Sequence, residues 1–270
     1  FVLIFTVYPI FLSCARKARL PRALLPAMIY GSIATWPGLV PGSACLQNLL
    51  PMSYLGTTAT AAPLVSIVSE IVCAVAIFIY WEVVIKQCRK KNLGFDPTPE
   101  IDAAIAEYEA YGKAKAPALA FLPLIALLIA INVFSIAPIV ALLIGCGVCL
   151  ALYWKKIAEK KAAICQGFGS ALNALMNTAV AVAFAGVVQA TSGYVVIQNA
   201  LVNLTRSMPL LSLGLATTLL CGVCGSGFAG MTFALQTLAP SYLAMGLNPE
   251  IIHRVITIAG TGLDSLPHCG

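Results

Sequence analysis

Charge is what this sequence most lacks. Asp, Glu, Lys and Arg make up 10% of the 270 residues, against 60% hydrophobic residues, and the mean hydropathy is +0.93. Soluble globular domains carry roughly 25% charged residues, so the composition excludes that class. Several apolar runs approach the roughly 20 residues with which a helix crosses a bilayer. The sequence therefore predicts an all-α polytopic membrane protein, with the lipid bilayer as its surroundings.

Acidic residues are scarcer than basic ones, 10 against 16. The basic residues cluster directly after apolar runs, at 16–22, 86–91 and 155–161. Such short basic loops mark the cytoplasmic side of a membrane protein, so the positive charge indicates topology and not a nucleic-acid partner. The apolar segments between the loops are Phe1–Cys14, Ala23–Trp36, Pro63–Ile85, Pro117–Ile136, Pro138–Trp154 and Ala162–Val188.

Paired cysteine spacing is also missing. Ten cysteines are scattered along apolar segments, as small packing residues would be. Cys221 and Cys224 form a CxxC motif, but no βαβ pattern surrounds it and no histidine or cysteine stands near it at the spacing of a metal site. We expect no metal centre and no cofactor.

Two predicted helices are interrupted by polar and helix-breaking residues. Pro-Gly pairs at 37–38 and 41–42 break the first within Leu39–Asn48, and Thr261–Gly270 breaks the second after the apolar run Ile251–Gly260. A break at membrane depth exposes backbone groups, which is tolerated only inside protein or beside a watery cavity. Transporters form substrate and ion sites at such breaks.

A third irregular segment lies between Pro209–Val223 and Met231–Ala239. Each of these arms has about 10–15 residues, which is short of a bilayer span. The glycine-rich segment Cys224–Gly230 between them predicts the tip of a re-entrant hairpin.

The charged loops predict that the first broken helix starts on the cytoplasmic side of the membrane and that the last one starts on the outer side. This arrangement predicts an inverted repeat. We expect residues 1–86 to form the end of the first repeat, 87–116 a hydrophilic linker, and 117–270 the second repeat. We also expect an internal piece of a longer transporter, without its first helices and its last helix.

The candidate site residues each have a plainer alternative. Asp264 and His268 would couple an ion, or else serve as a helix cap and a buried neutral histidine. Ser226, between two glycines, would bind an anion, or else the tip is simply closely packed. Ser43, Gln47 and Asn48 mirror the tip in the first break. Glu70 fits a scaffold role, and His253 and Arg254 are expected at the outer interface.

Three stretches now show a resemblance to a known family. YPIFLSCARKARLPRALLPAMIYGS, VPGSACLQNLLPMSYLGTTATAAP and LNPEIIHRVITIAGTGLDSLPHCG look like the gluconate permease (GntP) family of the ion transporter superfamily, in its hydroxybutyrate-permease branch. The resemblance implies a symporter for small organic carboxylates, coupled to protons or sodium, in the bacterial cytoplasmic (inner) membrane. It also implies inverted repeats, an elevator-type movement and often a homodimer.

The family motifs carry over to this chain position by position. The substrate-binding positions they imply are Pro41, Gly42, Ser43, Gln47, Asn48, Gly225, Ser226, Gly227 and Ser265. Pro267 belongs to the same final motif, in which Asp264 and His268 are the ion-coupling candidates. Ala44, Phe228-Ala229 and Cys269 depart from the family pattern, which leaves the substrate open.

Two other functions stay open. A membrane-embedded hydrolase would use Ser265, His268 and Asp264, but these three lie within five positions on one broken helix and their side chains diverge. A passive anion channel would also use breaks at mid-depth. Saturation and dependence on an ion gradient distinguish a symporter from a channel.

Overall fold

The computed structural model describes residues 2–34, 36–111, 119, 121–155, 157, 159–193, 196 and 208–263. Every long regular element in these ranges is a helix and none of their residues forms a strand, which confirms the all-α prediction for this part of the chain. The helices are α1 (Val2–Ala18), α2 (Leu25–Ala34), α3 (Trp36–Leu39), α4 (Leu46–Leu55), α5 (Pro63–Lys90), α6 (Pro99–Tyr111), α7 (Leu122–Asn132), α8 (Pro138–Tyr153), α9 (Lys160–Gln189), α10 (Pro209–Cys224), α11 (Gly227–Thr237), α12 (Ala239–Ala244) and α13 (Pro249–Gly260), with a 3₁₀ turn at Arg22–Leu24.

The chain forms two compact units. Unit 1 comprises Phe1–Trp36 and Val68–Ala120, and unit 2 comprises Pro37–Ile67 and Phe121–Gly270. The first interruption therefore packs with the C-terminal half of the chain, and the hydrophilic linker packs with the N-terminal helices. These boundaries cut across the three predicted segments, and the repeat organisation stays a prediction.

Unit 1 is built around α1, α2 and α6. Leu12, Leu25, Ile29 and Ile105 are at most 2% exposed and form its core. α6 also carries Asp102, whose carboxylate pairs with Arg16 at 3.0 Å. The linker predicted from hydrophilic composition thus contains a helix with a buried apolar face.

α5 is the helix whose length and composition suit a membrane span. Among the described residues no other helix meets both conditions, while α7, α8 and α10 are apolar but shorter. α5 begins at Pro63, which needs no N–H partner at the first helical position, and ends at the basic pair Arg89 and Lys90. The multi-pass arrangement stays a prediction.

Unit 2 has its main core between α10, α11, α12 and α13. Leu213, Met231, Ile252 and Ile256 are completely buried there. α10 and α11 form the helical hairpin that the sequence predicts, and no side chain separates their backbones at Gly230. α4 lies between this core and a second one, formed with α7 and α8.

Candidate functional site

The first interruption lies between α3 and α4, where Val40–Cys45 is not helical. Gly42 adopts φ +78°, which favours glycine. Its N–H donates to the Ala59 carbonyl at 2.9 Å, and its own carbonyl accepts from Asn132 Nδ2 at 2.9 Å. A Cβ at this position would stand 2.7 Å from Asn132 Oδ1. Both the backbone angle and this contact require glycine.

Ser43 and Asn48 hold the interruption together. The Ser43 hydroxyl accepts from the Cys45 N–H at 3.1 Å, just before α4 begins. Asn48 is completely buried and donates to the carbonyls of Ser43 at 2.8 Å and Ala59 at 2.9 Å. Its Oδ1 accepts from His253 Nε2 at 3.3 Å. The whole Asn48 amide is thus used inside the protein.

α13 presents a polar face to this segment. It begins after Asn248, whose side chain accepts from the Glu250 N–H at 2.8 Å, so the helix has a capped start. Glu250, His253, Arg254 and Thr257 follow at a spacing of three or four residues and share one face. The sequence places His253 and Arg254 at the outer interface, but both are 0% exposed. Contacts with the distant segment 38–61 enclose them.

Each of the buried polar side chains on α13 lies within hydrogen-bonding distance of the segment 38–61, which contains the first interruption. His253 Nδ1 lies 2.7 Å from Thr57 Oγ1. Arg254 donates to the Ala61 carbonyl from Nη2 at 2.8 Å and from Nε at 3.3 Å, and to the Gly38 carbonyl from Nη1 at 3.3 Å. Further along the helix, Thr257 Oγ1 donates to the His253 carbonyl of the same helix at 2.9 Å and lies 3.4 Å from the Gln47 carbonyl oxygen. α13 therefore contacts the chain both before and after the interruption.

The hairpin tip consists of Gly225 and Ser226. Gly225 adopts φ +61° and ends α10 in the left-handed conformation that glycine favours. Ser226 caps α11, because its hydroxyl accepts from the Ala229 N–H at 3.4 Å. Gly227 is the first residue of α11 and is buried. The cap accounts for one role of Ser226, and substrate binding stays a prediction.

α4 and α11 contact each other near their C-terminal ends, where Gln236 Nε2 donates to Tyr54 Oη at 3.0 Å. In the middle of α11, Met231 lies so close to Gly260 that a Cβ there would be 2.3 Å from the Met231 sulfur. Gln47, at the start of α4, lies against the same last turn of α13.

Gly38 shows how closely these segments pack. A Cβ built on Gly38 would lie 3.7 Å from Gln47 Cβ, 3.7 Å from Thr257 Cγ2 and 3.6 Å from Thr261 Cγ2. The N-terminal end of α4 and the middle of α11 therefore both adjoin the C-terminal end of α13. The α4 N-terminus carries free N–H groups and partial positive charge, so this region favours an anion.

Four of the predicted residues, Asp264, Ser265, Pro267 and His268, lie outside the described residues. The predicted end of the helix before them is present, since α13 stops at Gly260 and Gly262 follows against Thr218. The sequence analysis did not predict that the polar face of α13 is part of the site. The spacing of Glu250, His253, Arg254 and Thr257 within an otherwise apolar helix is the pattern that could have indicated it.

Helices interrupted around polar groups are typical of membrane transport proteins. A comparison with known proteins points the same way. The chain is similar to "Uncharacterized transporter YxjC" of Bacillus subtilis (strain 168), at 30% identity over an alignment of 319 positions that covers 100% of the chain. The chain spans 66% of that relative's length. No family model matches the chain, and no solved structure gives a significant match.

The similarity relates this chain to transporters, and with the apolar helical structure it indicates a membrane protein. The name of this relative describes a transporter and mentions no enzymatic activity. The finer family assignment, to gluconate permeases, rests on the motifs quoted above.

Proposed function

We propose that the chain forms part of a secondary active transporter of the gluconate permease type. It carries a small organic carboxylate across the bacterial cytoplasmic membrane, coupled to protons or sodium. The single observation that supports this most is that the N-terminal end of α4, directly after the first interruption, lies against the last turn of α13. A helix start beside an interrupted segment suits the binding of a carboxylate.

The proposal assigns separate roles to the two halves of the site. Backbone N–H groups and hydroxyls near Ser43 and Ser226 hold the carboxylate and hydroxyl groups of the substrate. Asp264 and His268 couple the ion, as the family motif implies. An elevator-type movement of a homodimer, with inverted repeats, belongs to the same proposal and follows from the family resemblance.

The direct test is uptake by the full-length protein in proteoliposomes. Labelled gluconate and hydroxybutyrate are offered under an imposed proton gradient, an imposed sodium gradient, or neither. A symporter gives saturable accumulation that stops when its driving gradient is collapsed. Downhill flux that does not saturate would indicate a channel instead. Absence of uptake for a panel of small acids under every gradient would contradict the proposal.

Site variants then separate binding from coupling. Asp264→Asn and His268→Ala are expected to abolish gradient-driven accumulation while leaving exchange of substrate across the membrane. Ser226→Ala is expected to raise KM by roughly tenfold, as the loss of one hydrogen bond to a charged group would. Ser53→Ala is the matched control, because the Ser53 hydroxyl is on an exposed residue and donates to its own helix at Leu50.

A further inference from the structure

Arg254 is the largest completely buried side chain in the described part of the chain. A guanidinium carries its positive charge at neutral pH. Arginine is almost never fully buried unless an acidic group pairs with it, because removing its charge from water is costly. The position of Arg254 therefore needs an explanation beyond packing.

The described partners of Arg254 give each of its three nitrogens one hydrogen bond and bring no opposite charge. Its three bonds within the described residues all go to two backbone carbonyls, those of Ala61 and Gly38. No ion pair among those residues includes Arg254. Glu250, the acid on the same face of α13, is exposed and accepts from the Ala62 N–H at 3.2 Å. Within the described part of the chain, the buried positive charge of Arg254 therefore has no acidic partner.

This charge lies directly beside the first interruption. The Gly38 carbonyl accepts a hydrogen bond from Arg254, and a Cβ built on Gly38 would face Gln47 and Thr257. Charges act more strongly and further in a protein interior than in water, because the effective dielectric constant is lower. A solute held near Gln47 would therefore feel the Arg254 charge even though the two do not touch.

We propose that Arg254 is a specificity-determining residue: its fixed charge makes the site select anions over neutral solutes of the same shape. The inference rests on the proposed function and adds the physical source of the charge preference. Arg254 acts as a positioning residue with an electrostatic effect and does not contact the substrate in this conformation.

Two substitutions separate this role from a purely structural one. Arg254→Lys keeps the charge but loses the branched donor that reaches two carbonyls, whereas Arg254→Gln keeps an amide donor and loses the charge. If the only role of Arg254 is to hold the chain at Gly38 next to the chain at Ala61, both variants lose stability and neither changes the preference for anions. If the charge matters, only the glutamine variant loses that preference.

The experiment uses the full-length protein in proteoliposomes, with hydroxybutyrate as the labelled substrate and its neutral amide as a competitor. The ratio of the amide's inhibition constant to the KM of the anion measures the preference. Arg254→Gln is expected to lower this ratio by about tenfold or more through a raised KM, and Arg254→Lys to keep it within about threefold. Arg89→Gln, which removes an exposed arginine, is expected to leave it unchanged.

Each outcome decides one question. No uptake by the unmodified protein would remove the proposed function, and this inference with it. Uptake by the unmodified protein together with an unchanged ratio in folded Arg254→Gln would overturn this inference alone. If the glutamine variant does not fold, Arg254→Met takes its place, because it also removes the charge: a ratio lowered about tenfold in the folded methionine variant would support the inference, and an unchanged ratio would overturn it.

Discussion

Thr57 Oγ1 lies 2.7 Å from His253 Nδ1, although the two residues are 196 positions apart in the sequence. Asn48 Oδ1 can only accept a hydrogen bond, so the His253 Nε2 that it faces carries a proton. In the neutral ring, Nδ1 then accepts from the Thr57 hydroxyl. The imidazole thus joins α13 to both ends of α4 through a single tautomer.

Thr57→Val is expected to lower the stability of the protein, because it leaves His253 Nδ1 buried without a donor. The expected loss is about 1–3 kcal/mol. The measurement is the thermal unfolding midpoint of the purified full-length protein in detergent. Thr58→Val is the control, since the exposed Thr58 bonds through its hydroxyl to Thr60. Equal midpoints for the two variants would show that the contact with His253 contributes nothing.

Gly42→Ala is expected to destabilise the protein more than Gly56→Ala does. Both glycines have a positive φ, of +78° and +64°, so both variants carry the backbone strain, roughly 1 kcal/mol. Among the described residues, the new methyl group meets a neighbour only at Gly42, since none of their atoms lies within 4 Å of a Cβ at Gly56. The difference in thermal midpoint therefore measures the contact with Asn132. Adding Asn132→Ala to Gly42→Ala should recover part of that difference, and no recovery would contradict the assignment.

Gly230→Ala is expected to force α10 and α11 apart. A Cβ on Gly230 would lie 2.4 Å from Cys221 Cα, which is backbone and cannot rotate away. The expected cost is about 1–3 kcal/mol or more. Gly147→Ala in α8 is the control, because no atom of the residues that the structure describes lies within 4 Å of a Cβ there. A midpoint for Gly230→Ala equal to that of the control would show that the hairpin is not packed backbone to backbone.

Ile105→Ala tests whether the hydrophilic linker is folded onto unit 1. Ile105 is 2% exposed and packs in the core with Leu12 and Leu25, so its truncation should cost about 2–5 kcal/mol. Ile139→Ala removes the same atoms from a side chain that is 77% exposed within the chain. Limited proteolysis within residues 91–111 is expected to accelerate for Ile105→Ala only. Equal rates would mean that α6 contributes no packing.

Local chemistry is what made much of this fold predictable. The hairpin tip could be placed because Gly225 ends α10 with a left-handed conformation that glycine favours, and the first interruption because Pro41-Gly42 cannot continue a helix. The end of α13 near Gly260 was predicted in the same way. These features depend on a few neighbouring residues, which a sequence displays directly.

The burial of Arg254 and His253 was not predictable in this way. Their polarity indicates an interface when α13 is considered alone, and only contacts with Gly38, Asn48 and Ala61 make them interior. These partners are about 190–220 positions away, and their alignment depends on packing that no local pattern encodes. The burial of Ile105 was not predictable either, because the charged residues around it in α6 are typical of a solvent-exposed linker.

The central claim is that the first interruption and the end of α13 form one region. It can be measured by cross-linking the full-length protein in native membranes, with the native cysteines replaced. Gly38→Cys is combined with Thr257→Cys or, as a control within the first segment, with Gln47→Cys. A Cβ at Gly38 lies 3.7 Å from both Thr257 Cγ2 and Gln47 Cβ, which is within reach of a disulfide.

After mild oxidation, the remaining thiols are counted by mass after maleimide labelling. The account predicts that both pairs lose their free thiols at comparable rates. If the pair with Gln47→Cys closes while Gly38→Cys and Thr257→Cys both stay free, the two segments do not adjoin and the proposed site does not exist.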